Sequence, residues 1–445
     1  MLYAENEIVF SEAQGNIMRV IADLHIHGPY SRATSEKMRV EEIARFAKIK
    51  GLNLVGTGDF THPKWLKELQ EALIPESGTG LYRVAKDPQS SVRFMITTEV
   101  STIFAFGDEA KKVHHVISTP NVETALQINE RLSKYGNLAL DGRPTLNMTA
   151  PHLVEEVMEV SRENMVFPAH AWTPWFSIFG AFSGFDSVED CYQDMTKHIY
   201  ALETGLSSDP PMNWRLSKLD KFALVSNSDS HSFWPWRIGR EANVFELEKL
   251  TYYEVVDAIR CKDKRRFKFT IETDPAYGKY HWTGHRNCNV SLSPQEAIKL
   301  GNICPVCRRK LTKGVEQRVE ELADRPAGFK PENAIGFMHL LPLSEIIAAV
   351  LNTDSPSTQT VWKTYNVLIE KFGDEYSVLI DASIDALSRV VDKKIAEAVV
   401  RVREGKVKVT PGYDGVYGKL VLFEEESVKK TTSERVQQRN LTDFL

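Results

Sequence analysis

The chain has 445 residues, of which 42% are hydrophobic and 26% charged, and its formal net charge at pH 7 is −5. This composition is typical of globular proteins, and the length allows two to four domains. No apolar run is long enough to cross a bilayer, and no basic region followed by an apolar core opens the chain, so we expect a cytoplasmic protein without a membrane partner. The negative charge argues against wholesale attraction to nucleic acid, which would need local basic patches or bound cations.

Short apolar runs alternate with helical stretches between about residues 17 and 270. The segment "RVEEIARFAKIKG" (39–51) places Ile43, Phe46 and Ala47 on one face of a predicted helix that ends at Gly51. Strands that alternate with helices predict parallel βα units, arranged as a barrel or as an open sheet, and therefore an α/β fold. The strand candidates, in chain order, are "MRVIADLHIH", "LNLVGTG", "RFMITTEV", "VHHVIS", "MVFPAHA", "HIYALETG" and "FALVSNSDSH".

The first of these strands ends in two histidines that lie one residue apart, within "DLHIH". In a strand, His25 and His27 point to the same face of the sheet and could share a metal ion. Two histidines on a solvated sheet surface explain this short pattern equally well. Acids and histidines recur, however, at later strand ends, and strand ends form the active-site face of α/β barrels. The candidates are His25, His27, Asp59, His62, Glu99, His114, His115, His170, Asp229 and His231.

These residue types together predict a metal centre. Imidazole and carboxylate ligands suit Zn²⁺, Mn²⁺ or Fe, whereas a Mg²⁺ site is formed mainly by oxygen. Carboxylates shared by two or three such ions allow a metal-activated hydroxide to attack a phosphorus centre, while the ions neutralise charge on the phosphoryl oxygens. The candidates for the catalytic residues that bridge the ions or orient the nucleophile are Asp59, Glu99 and Asp229. We expect two or three divalent metals (Zn, Mn, Mg or Fe).

The segment after residue 275 is turn-rich and contains a second candidate metal site. His285 and Cys288 form an HxxC pair, and Cys304 and Cys307 form a CxxC pair. Two such pairs on turns are typical of a tetrahedral structural Zn²⁺ site, which stabilises a segment with little core of its own. His281 is an alternative fourth ligand. The basic residues near the second pair predict either a DNA-facing patch or an ordinary solvated surface, and they are Arg308, Arg309, Lys310 and Lys313.

Residues 340–405 are predicted to be helical, and a polar tail follows. The helix within "KKIAEAVVRVREGKVKV" carries basic residues that could bind DNA phosphates, although a plain surface helix fits the pattern equally well. The tail ends in "QRNLTDFL", which resembles the PCNA-interacting peptide, with a leucine in place of the more usual second aromatic residue. Such a peptide inserts apolar side chains of a helical turn into a pocket of the sliding clamp. The clamp-binding candidates are Gln438, Leu441, Phe444 and Leu445.

The motifs at the strand ends resemble those of the polymerase-and-histidinol-phosphatase (PHP) family. The resemblance implies a distorted (β/α)7 barrel that binds up to three divalent metals and hydrolyses phosphoesters. Of the adjacent pair in "VHHVIS", only one can face the site, and His115 is preferred; His114 and His62 could assist. Many relatives carry a further histidine shortly after HxH, where "GPYSR" has none. The metal ligands that the resemblance implies are His25, His27, Asp59, Glu99, His115, His170, Asp229 and His231.

Longer stretches, from about residue 20 to 420, resemble the endonuclease Q family. They include "DLHIHGPYSRATS", "PAHAWTPWFSIFG", "SNSDSHSFWPWRIGREANVF" and "ICPVCRRKLTKGVEQRVEELADR". The resemblance implies a PHP barrel over 1–275, a zinc-binding domain over 276–330, a helical C-terminal DNA-binding region over 331–430 and a flexible tail over 431–445. It also implies an archaeal or bacterial DNA repair endonuclease that cuts double- or single-stranded DNA on the 5′ side of hypoxanthine, xanthine, uracil and abasic sites.

Aromatic residues are concentrated behind two of the metal motifs, those of His170 and His231. An enzyme that reads a damaged base takes it out of the stack into a pocket lined by flat groups, so these aromatic residues are candidates for a base pocket or wedge. Each of them, taken singly, is as readily a core residue. Arginines in the same loops could bind backbone phosphates or form surface ion pairs. The DNA- and base-binding candidates are Trp172, Trp175, Phe176, Trp234, Arg32, Arg215 and Arg237.

The sequence therefore favours a metal-dependent DNA repair endonuclease. We expect a monomer that binds PCNA and lies near the nucleoid, and the clamp tail favours an archaeal host. Two alternatives remain open at this point. A PHP-type phosphatase acting on a small phosphomonoester would need neither a zinc site nor a clamp tail. A non-enzymatic, clamp-linked DNA damage sensor would not need a nearly complete ligand set.

Overall fold

A computed structural model describes residues 17–353 and 355–422. The predicted clamp-binding peptide, 438–445, lies outside these described residues. The strands are β1 Met18–Asp23, β2 Leu54–Gly56, β3 Leu73–Glu76, β4 Leu81–Val84, β5 Arg93–Phe106, β6 Glu109–Thr119, β7 Thr145–Leu146, β8 Met165–Pro168, β9 Ala201–Glu203, β10 Ala223–Val225, β11 Ala242–Leu247, β12 Phe267–Glu272, β13 Thr283–His285, β14 Val290–Leu292, β15 Gly336–His339, β16 Lys408–Thr410 and β17 Lys419–Val421. The α-helices are α1 Val40–Lys50, α2 Pro63–Ala72, α3 Val122–Leu132, α4 Ala150–Val160, α5 Val188–Tyr192, α6 Pro210–Asn213, α7 Tyr252–Arg260, α8 Pro294–Lys299, α9 Val315–Leu322, α10 Leu343–Val350, α11 Gln359–Phe372, α12 Ile384–Ser388 and α13 Lys393–Arg403.

The central strands follow one another in a ring. β1 pairs in parallel with β2, β2 with β5, and β9 with β10. β6 pairs with both β5 and β8 in the antiparallel sense. Single bridges join Val166 to Ile199, beside β9, and Ile26 to Ser230, beyond β10. The order around the ring is β1, β2, β5, β6, β8, β9, β10. The predicted α/β fold class is confirmed, with a central mixed sheet.

The prediction of parallel βα units throughout is wrong at β5 and β6. These strands form a long antiparallel hairpin in which Ile96 pairs with Thr119 and Phe106 with Glu109. Only Gly107 and Asp108 separate the two strands, and so short a connection can join only antiparallel strands. The hairpin therefore places Glu99 of β5 close to the two histidines of β6.

The C-terminal part of the chain packs back onto both earlier segments. β15 joins the central sheet in parallel with β12, and α10–α13 follow it. The apolar core is continuous across this junction, since the same cluster of buried residues contains Phe46, Leu343 and Tyr365. The β16–β17 hairpin returns to the zinc-binding segment, where the Gly412 N–H donates to the Ala276 carbonyl. Among the described residues, no helix is both long and apolar enough to span a membrane.

Candidate metal centre

Two groups of potential ligand atoms lie at the strand ends and share Glu99. The first group, which we call site A, contains His25, His27, Glu99 and Asp229, whose ligand atoms all lie within 4.8 Å of one another. His27 Nε2 is 2.9 Å from Asp229 Oδ1 and 3.2 Å from Glu99 Oε2. His25 Nε2 is 3.6 Å from each of the same two oxygens. Four nitrogen and oxygen atoms thus converge on one point.

The second group, site B, contains Glu99, His114 and His170. Glu99 Oε1 is 2.9 Å from His114 Nδ1 and 3.1 Å from His170 Nε2. The two imidazole nitrogens are themselves 3.2 Å apart. Because Glu99 turns Oε2 towards site A and Oε1 towards site B, its carboxylate has the arrangement of a bridge between two cations.

The donor set of both sites fits divalent cations. Imidazole nitrogens mixed with carboxylate oxygens suit Zn²⁺, Mn²⁺ or Fe. His25 Nε2 is buried and has no hydrogen-bond partner among the described atoms, although it points at two carboxylates. A buried polar atom without a partner is costly, and a cation would satisfy it. The side chain of Asp229 is 31% exposed, so site A is open to solvent at this residue.

Further polar residues orient these ligands. Glu203 accepts from His25 Nδ1 at 3.0 Å, from the backbone N–H of His170 at 2.7 Å and from the Asn227 amide at 2.8 Å. Ser177 Oγ lies 3.0 Å from His170 Nδ1. Partners of this kind fix the ring orientation of metal-binding histidines. Glu203 was not among the residues predicted from the sequence. It follows "HIYAL" at a predicted strand end, so the rule that identified Glu99 also applies to Glu203.

The local charge balance also suits cations. Burial alone would keep His25 and His27 neutral, but the surrounding carboxylates raise the pKa of both imidazoles well above the usual value. Burial opposes ionisation of Glu99 as well, yet Arg143 and the neighbouring imidazoles hold the pKa of Glu99 well below its usual range. The excess negative charge is therefore compensated by protons on the histidines or by divalent cations in their place.

Three residues of the centre have left-handed backbone conformations that are rare outside glycine. The φ angles are 51° at Asp59, 30° at His170 and 47° at Asp229. Such strain persists where the surrounding structure enforces it and is concentrated at functional sites. Gly205 allows its own segment to lie directly against His170, because a Cβ at residue 205 would lie 2.7 Å from the His170 Cβ.

The choice of His115 as a ligand is corrected. His115 points to the opposite face of β6, where Nε2 lies 2.8 Å from Thr102 Oγ1 and Nδ1 lies 2.7 Å from the Tyr192 hydroxyl. His114 faces Glu99 and His170 instead. Neighbouring residues of a strand point to opposite faces of the sheet, so only one of the two histidines faces the site, as expected. The sequence pattern does not indicate which one it is.

Asp59 and His231 lie next to the centre but contribute no ligand atom to either group. Asp59 Oδ1 accepts from His27 Nδ1 at 3.0 Å, and Oδ2 accepts from the Gly28 N–H at 2.6 Å, so both oxygens are engaged behind His27. The His231 ring stacks on that of His27, with Nε2 3.8 Å from Asp229 Oδ1. His62 stacks on Tyr30, outside both groups. Where many relatives have a further histidine, the Ser31 hydroxyl lies 3.1 Å from His27 Nδ1.

The predicted zinc ligands come together as a third group. His285, Cys288, Cys304 and Cys307 place one ligand atom each within 4.8 Å of one another. Burial favours the neutral thiol of Cys304, but the backbone N–H groups of Cys307 and Val306 aim at its sulfur and lower its pKa to about 6. A thiolate is the form that binds zinc. His281 is not part of the group, since its Nε2 faces Glu316.

Comparisons with known proteins identify the family. The chain is similar to the solved structure of the lesion-specific endonuclease PfuEndoQ from Pyrococcus furiosus, with 36% identity, a TM-score of 0.81 and coverage of 91% of this chain and 95% of that one. The chain belongs to the endonuclease Q family. A second structure of the family, endonuclease Q in complex with a 27-mer duplex with an abasic lesion at the active site, has 36% identity, a TM-score of 0.80 and coverage of 92% and 98%. The family assignment made from the motifs is confirmed.

Two further matches concern a protein without an assigned activity. Residues 342–406 match the family described as the MJ0043 C-terminal domain. The chain is also 33% identical over 261 residues to the uncharacterized protein MJ0043 of Methanocaldococcus jannaschii. That alignment covers 56% of this chain and 31% of MJ0043, so the matched part spans less than a third of that relative.

Two of the predicted DNA- or base-binding residues are engaged inside the molecule. Trp172 is fully buried, and its indole N–H donates to Asn213 at 2.8 Å. Arg215 donates to Glu320 at 2.8 Å and ties α9 to the chain beyond α6. Trp172 is not available to bind DNA, and that prediction is corrected. Arg215 keeps a side chain that is 14% exposed, and its role stays a prediction. The other candidates are exposed or half-buried, and they are Arg32, Trp175, Phe176, Trp234 and Arg237.

The sequence analysis also missed Arg143. Its guanidinium donates to Glu99 Oε2 at 3.0 Å, and its side chain is 27% exposed. A cation between a bridging carboxylate and solvent is placed to bind an anionic substrate beside the metals. Arg143 lies in the irregular segment "LDGRPT", where no strand or helix pattern indicates its position.

Proposed function

We propose that this chain is a metal-dependent endonuclease that cleaves DNA at damaged nucleotides. The observation that carries the proposal is the pair of ligand groups bridged by Glu99, in a chain that aligns over 91% of its length with a lesion-specific endonuclease. Neighbouring divalent cations, when bound, activate water and neutralise charge on the phosphoryl oxygens of an in-line displacement.

We assign the following roles to the side chains. His25, His27 and Asp229 would hold the cation of site A, His114 and His170 that of site B, and Glu99 both. Asp59 and Glu203 would orient the imidazoles, since each accepts a hydrogen bond from the nitrogen of the ring that faces away from the cations. Arg143 would bind the phosphate to be cleaved, because its guanidinium lies beside Glu99 and remains in part exposed.

We further propose that the strand is cut on the 5′ side of hypoxanthine, xanthine, uracil or an abasic site. The crystallised relative with an abasic duplex at its active site supports the last of these substrates. The three bases would be read after extrusion from the helix, which is the route by which enzymes examine damaged bases.

The aromatic residues that follow His170 support this extrusion. Phe176 packs against His114 with tilted rings and 4.9 Å between centroids, and its neighbour Trp175 is stacked on Phe182 at 5.0 Å. Trp175 and Phe182 are 41% and 50% exposed, and Tyr280 of the zinc-binding segment meets the edge of Trp175. Exposed stacked aromatic rings bind unstacked bases with little dependence on sequence. We infer that Phe176 borders the extruded nucleotide and that Trp175 and Phe182 contact the adjacent bases.

Arg32 and Arg237 are proposed to bind backbone phosphates further from the cut, since both are exposed.

A DNA-binding role for the basic helix α13 has less support. Arg403 donates to the Leu379 and Val378 carbonyls, and Arg401 donates to the Leu422 carbonyl, so both arginines stabilise their own region. The zinc-binding group over 276–330 would keep its segment folded against the barrel.

We propose PCNA as a partner through 438–445, on the basis of the sequence alone, and a monomer acting in the cytoplasm at the nucleoid. A truncation at residue 437 tests the clamp interaction. It should abolish binding to immobilised archaeal PCNA and leave cleavage of short oligonucleotides unchanged.

One assay separates the proposed function from its alternatives. The purified protein is incubated with Mn²⁺, Mg²⁺ or Zn²⁺ and with labelled duplexes that carry inosine, uracil, xanthine or an abasic site, each beside an undamaged duplex. Nicking on the 5′ side of the lesion supports the proposal. Release of phosphate from small phosphomonoesters without nicking would favour a phosphatase, and binding of damaged DNA without cleavage would favour a sensor.

A further inference from the structure

The loop 232–240 directly follows Asp229 and His231 of the metal centre. It contacts the helical region, by which we mean residues 342–406. Its Pro235 carbonyl accepts a hydrogen bond from the Lys50 ammonium at 2.9 Å, and the same ammonium lies 2.7 Å from Glu375 Oε1. The side chains of Lys50 and Glu375 are 2% and 0% exposed. A fully buried ion pair thus joins the barrel helix α1, this loop and the segment after α11.

Glu375 itself is completely satisfied. Its Oε1 also accepts from the Leu343 N–H at 2.9 Å, and its Oε2 accepts from the Tyr365 hydroxyl at 2.7 Å. Burying two charges is costly, and a buried ion pair is seldom retained for stability, because well-packed apolar residues usually stabilise a protein as well or better. We therefore explain the Lys50–Glu375 ion pair by the position that it gives to loop 232–240.

A second chain of hydrogen bonds leads from the helical region to the metal centre. The Tyr376 hydroxyl donates to the Gly239 carbonyl. The Gly239 N–H donates to Asp23 Oδ2 at 2.8 Å, and Asp23 Oδ1 accepts from the Ser228 N–H at 3.0 Å. Ser228 immediately precedes Asp229. Three successive hydrogen bonds thus connect a tyrosine of the helical region to the backbone next to Asp229.

Side-chain packing adds to these hydrogen bonds. Trp362 of α11 packs against Trp234 and Trp236 of the loop, with ring centroids 5.8 and 5.6 Å apart. Trp234 and Trp236 are themselves stacked at 5.1 Å with nearly parallel rings. At the end of the loop, Arg240 donates to Glu345 of α10 at 3.2 Å. The loop is therefore in contact with the helical region along most of its length.

From these contacts we infer that the region 342–406 is a positioning element of the active site. It fixes loop 232–240, and through that loop it fixes Asp229 and His231 relative to the other ligands. The inference rests on the proposed endonuclease function and gives a role to the MJ0043-type C-terminal domain. Lys50, Glu375 and Tyr376 are positioning residues in this scheme, because none of them reaches the metal sites. A displacement of about 1 Å at a catalytic group can lower a rate by about a hundredfold.

The test uses the full chain and the double variant Lys50→Met/Glu375→Gln. The glutamine keeps an acceptor oxygen for the Leu343 N–H and offers an amide N–H to the Tyr365 hydroxyl oxygen. No unpaired charge is left in the core, so the melting temperature should stay close to that of the wild type. The variant loses the hydrogen bond to Pro235. We expect the single-turnover cleavage rate at saturating enzyme to fall about tenfold or more, with an unchanged Kd for an abasic duplex. The absorption spectrum of bound Co²⁺ should change as well, because Asp229 is a site A ligand.

Asp381→Asn provides the matched control. Arg19 and Asp381 form an ion pair at 2.8 Å that also joins the barrel to the helical region, but at the surface and away from loop 232–240. This control should cleave and bind Co²⁺ like the wild type. Tyr376→Phe serves as a second variant if the double variant does not fold, and it should change the rate and the Co²⁺ spectrum in the same direction.

The inference is overturned if the folded double variant, or Tyr376→Phe in its place, keeps the wild-type rate and Co²⁺ spectrum. It is also overturned if the variant loses only DNA affinity, which would make the region a DNA-binding element. Failure of the wild type to nick damaged DNA would instead contradict the proposed function, and the Co²⁺ spectrum would still report on the positioning of Asp229.

Discussion

Asp229 is the proposed ligand of site A that is accessible to solvent, and it is also the residue through which we propose that the helical region acts. Its carboxylate is 2.9 Å from His27 Nε2 and lies on a backbone with a φ of 47°. Replacement by asparagine removes one negative charge from the cation site while preserving the shape of the side chain. We expect Asp229→Asn to lower the cleavage rate by about 1,000-fold, since the charge stabilisation supplied by a metal is worth several kcal/mol.

Affinity for the damaged duplex should be retained in this variant, because Asp229 is not among the proposed DNA contacts. Gel-shift and single-turnover assays measure the two properties separately. Asp257→Asn is the control, as Asp257 pairs with Arg266 on the outer helix α7. Cleavage by Asp229→Asn at the wild-type rate would remove Asp229 from the catalytic centre.

The neighbours His114 and His115 offer a direct test of the corrected ligand set. His114→Asn should lower the metal content by about one ion per chain and strongly reduce cleavage, because site B loses one of its two imidazoles. His115→Asn should keep its metal content. It should instead lower the melting temperature, since His115 is buried between Thr102 and Tyr192 and the loss of such a hydrogen bond costs about 1–3 kcal/mol. Elemental analysis and thermal denaturation distinguish the two variants, and the opposite result would restore the choice of His115.

All four residues of site A, but only two of the three residues of site B, were predicted as ligands from the sequence. His25 and His27 could be found because two residues that lie two positions apart in a strand point to the same face of the sheet. The choice between His114 and His115 could not be made in this way, since it depends on which face of the β5–β6 hairpin looks inward. Asp59 was predicted to be a metal ligand, but its orientation behind His27 follows from the loop conformation and not from the pattern.

At the scale of single elements, the loop after His170 carries the proposed base contacts. Trp175→Ala should lower the cleavage of a duplex with a lesion by about tenfold, because stacking on one base is worth about 1–3 kcal/mol. Tyr253→Ala is a suitable control, since Tyr253 is 43% exposed on α7, away from the metal centre. Rates are measured on the same abasic duplex, and equal rates for Trp175→Ala and the wild type would exclude Trp175 from the DNA contact.

We expect the segment around β13 and β14 to depend on a bound zinc ion, because its apolar core is small. The cluster of buried residues there consists of Val290, Cys304 and Leu311, with two half-buried neighbours. We expect Cys304→Ser to lose one zinc per chain and to make the segment around β13 and β14 sensitive to limited proteolysis. Sites A and B should keep their ions.

Cys261→Ser is the matched control for this prediction. Cys261 is exposed at the end of α7 and belongs to no ligand group among the described residues. Elemental analysis before and after proteolysis provides the measurement. A Cys304→Ser protein with full zinc content would disprove the four-ligand site.

At the scale of the whole molecule, the sequence predicted the α/β class but not how its parts are joined. The spacing of apolar runs indicates strands and helices, yet it does not indicate that β15, far along the chain, completes the central sheet beside β12. The same holds for the β16–β17 hairpin on the zinc-binding segment and for the buried contact of Lys50 with Glu375. Pairings between distant residues depend on complementary surfaces, which a local pattern does not contain.

These long-range contacts bring together the segments that the proposed function needs. The ring of strands presents the metal ligands, the zinc-binding segment lies against the aromatic loop through Tyr280 and Trp175, and the helical region holds the loop after His231. We propose that two cations, held on either side of Glu99, lie where these segments meet.

The most direct test is a crystal structure of the Mn²⁺-loaded protein with anomalous scattering. We expect two anomalous peaks on either side of Glu99, one within bonding distance of His25, His27 and Asp229 and the other within bonding distance of His114 and His170. A single peak in this centre, or a peak bound by His115 in place of His114, would rule out this pair of sites.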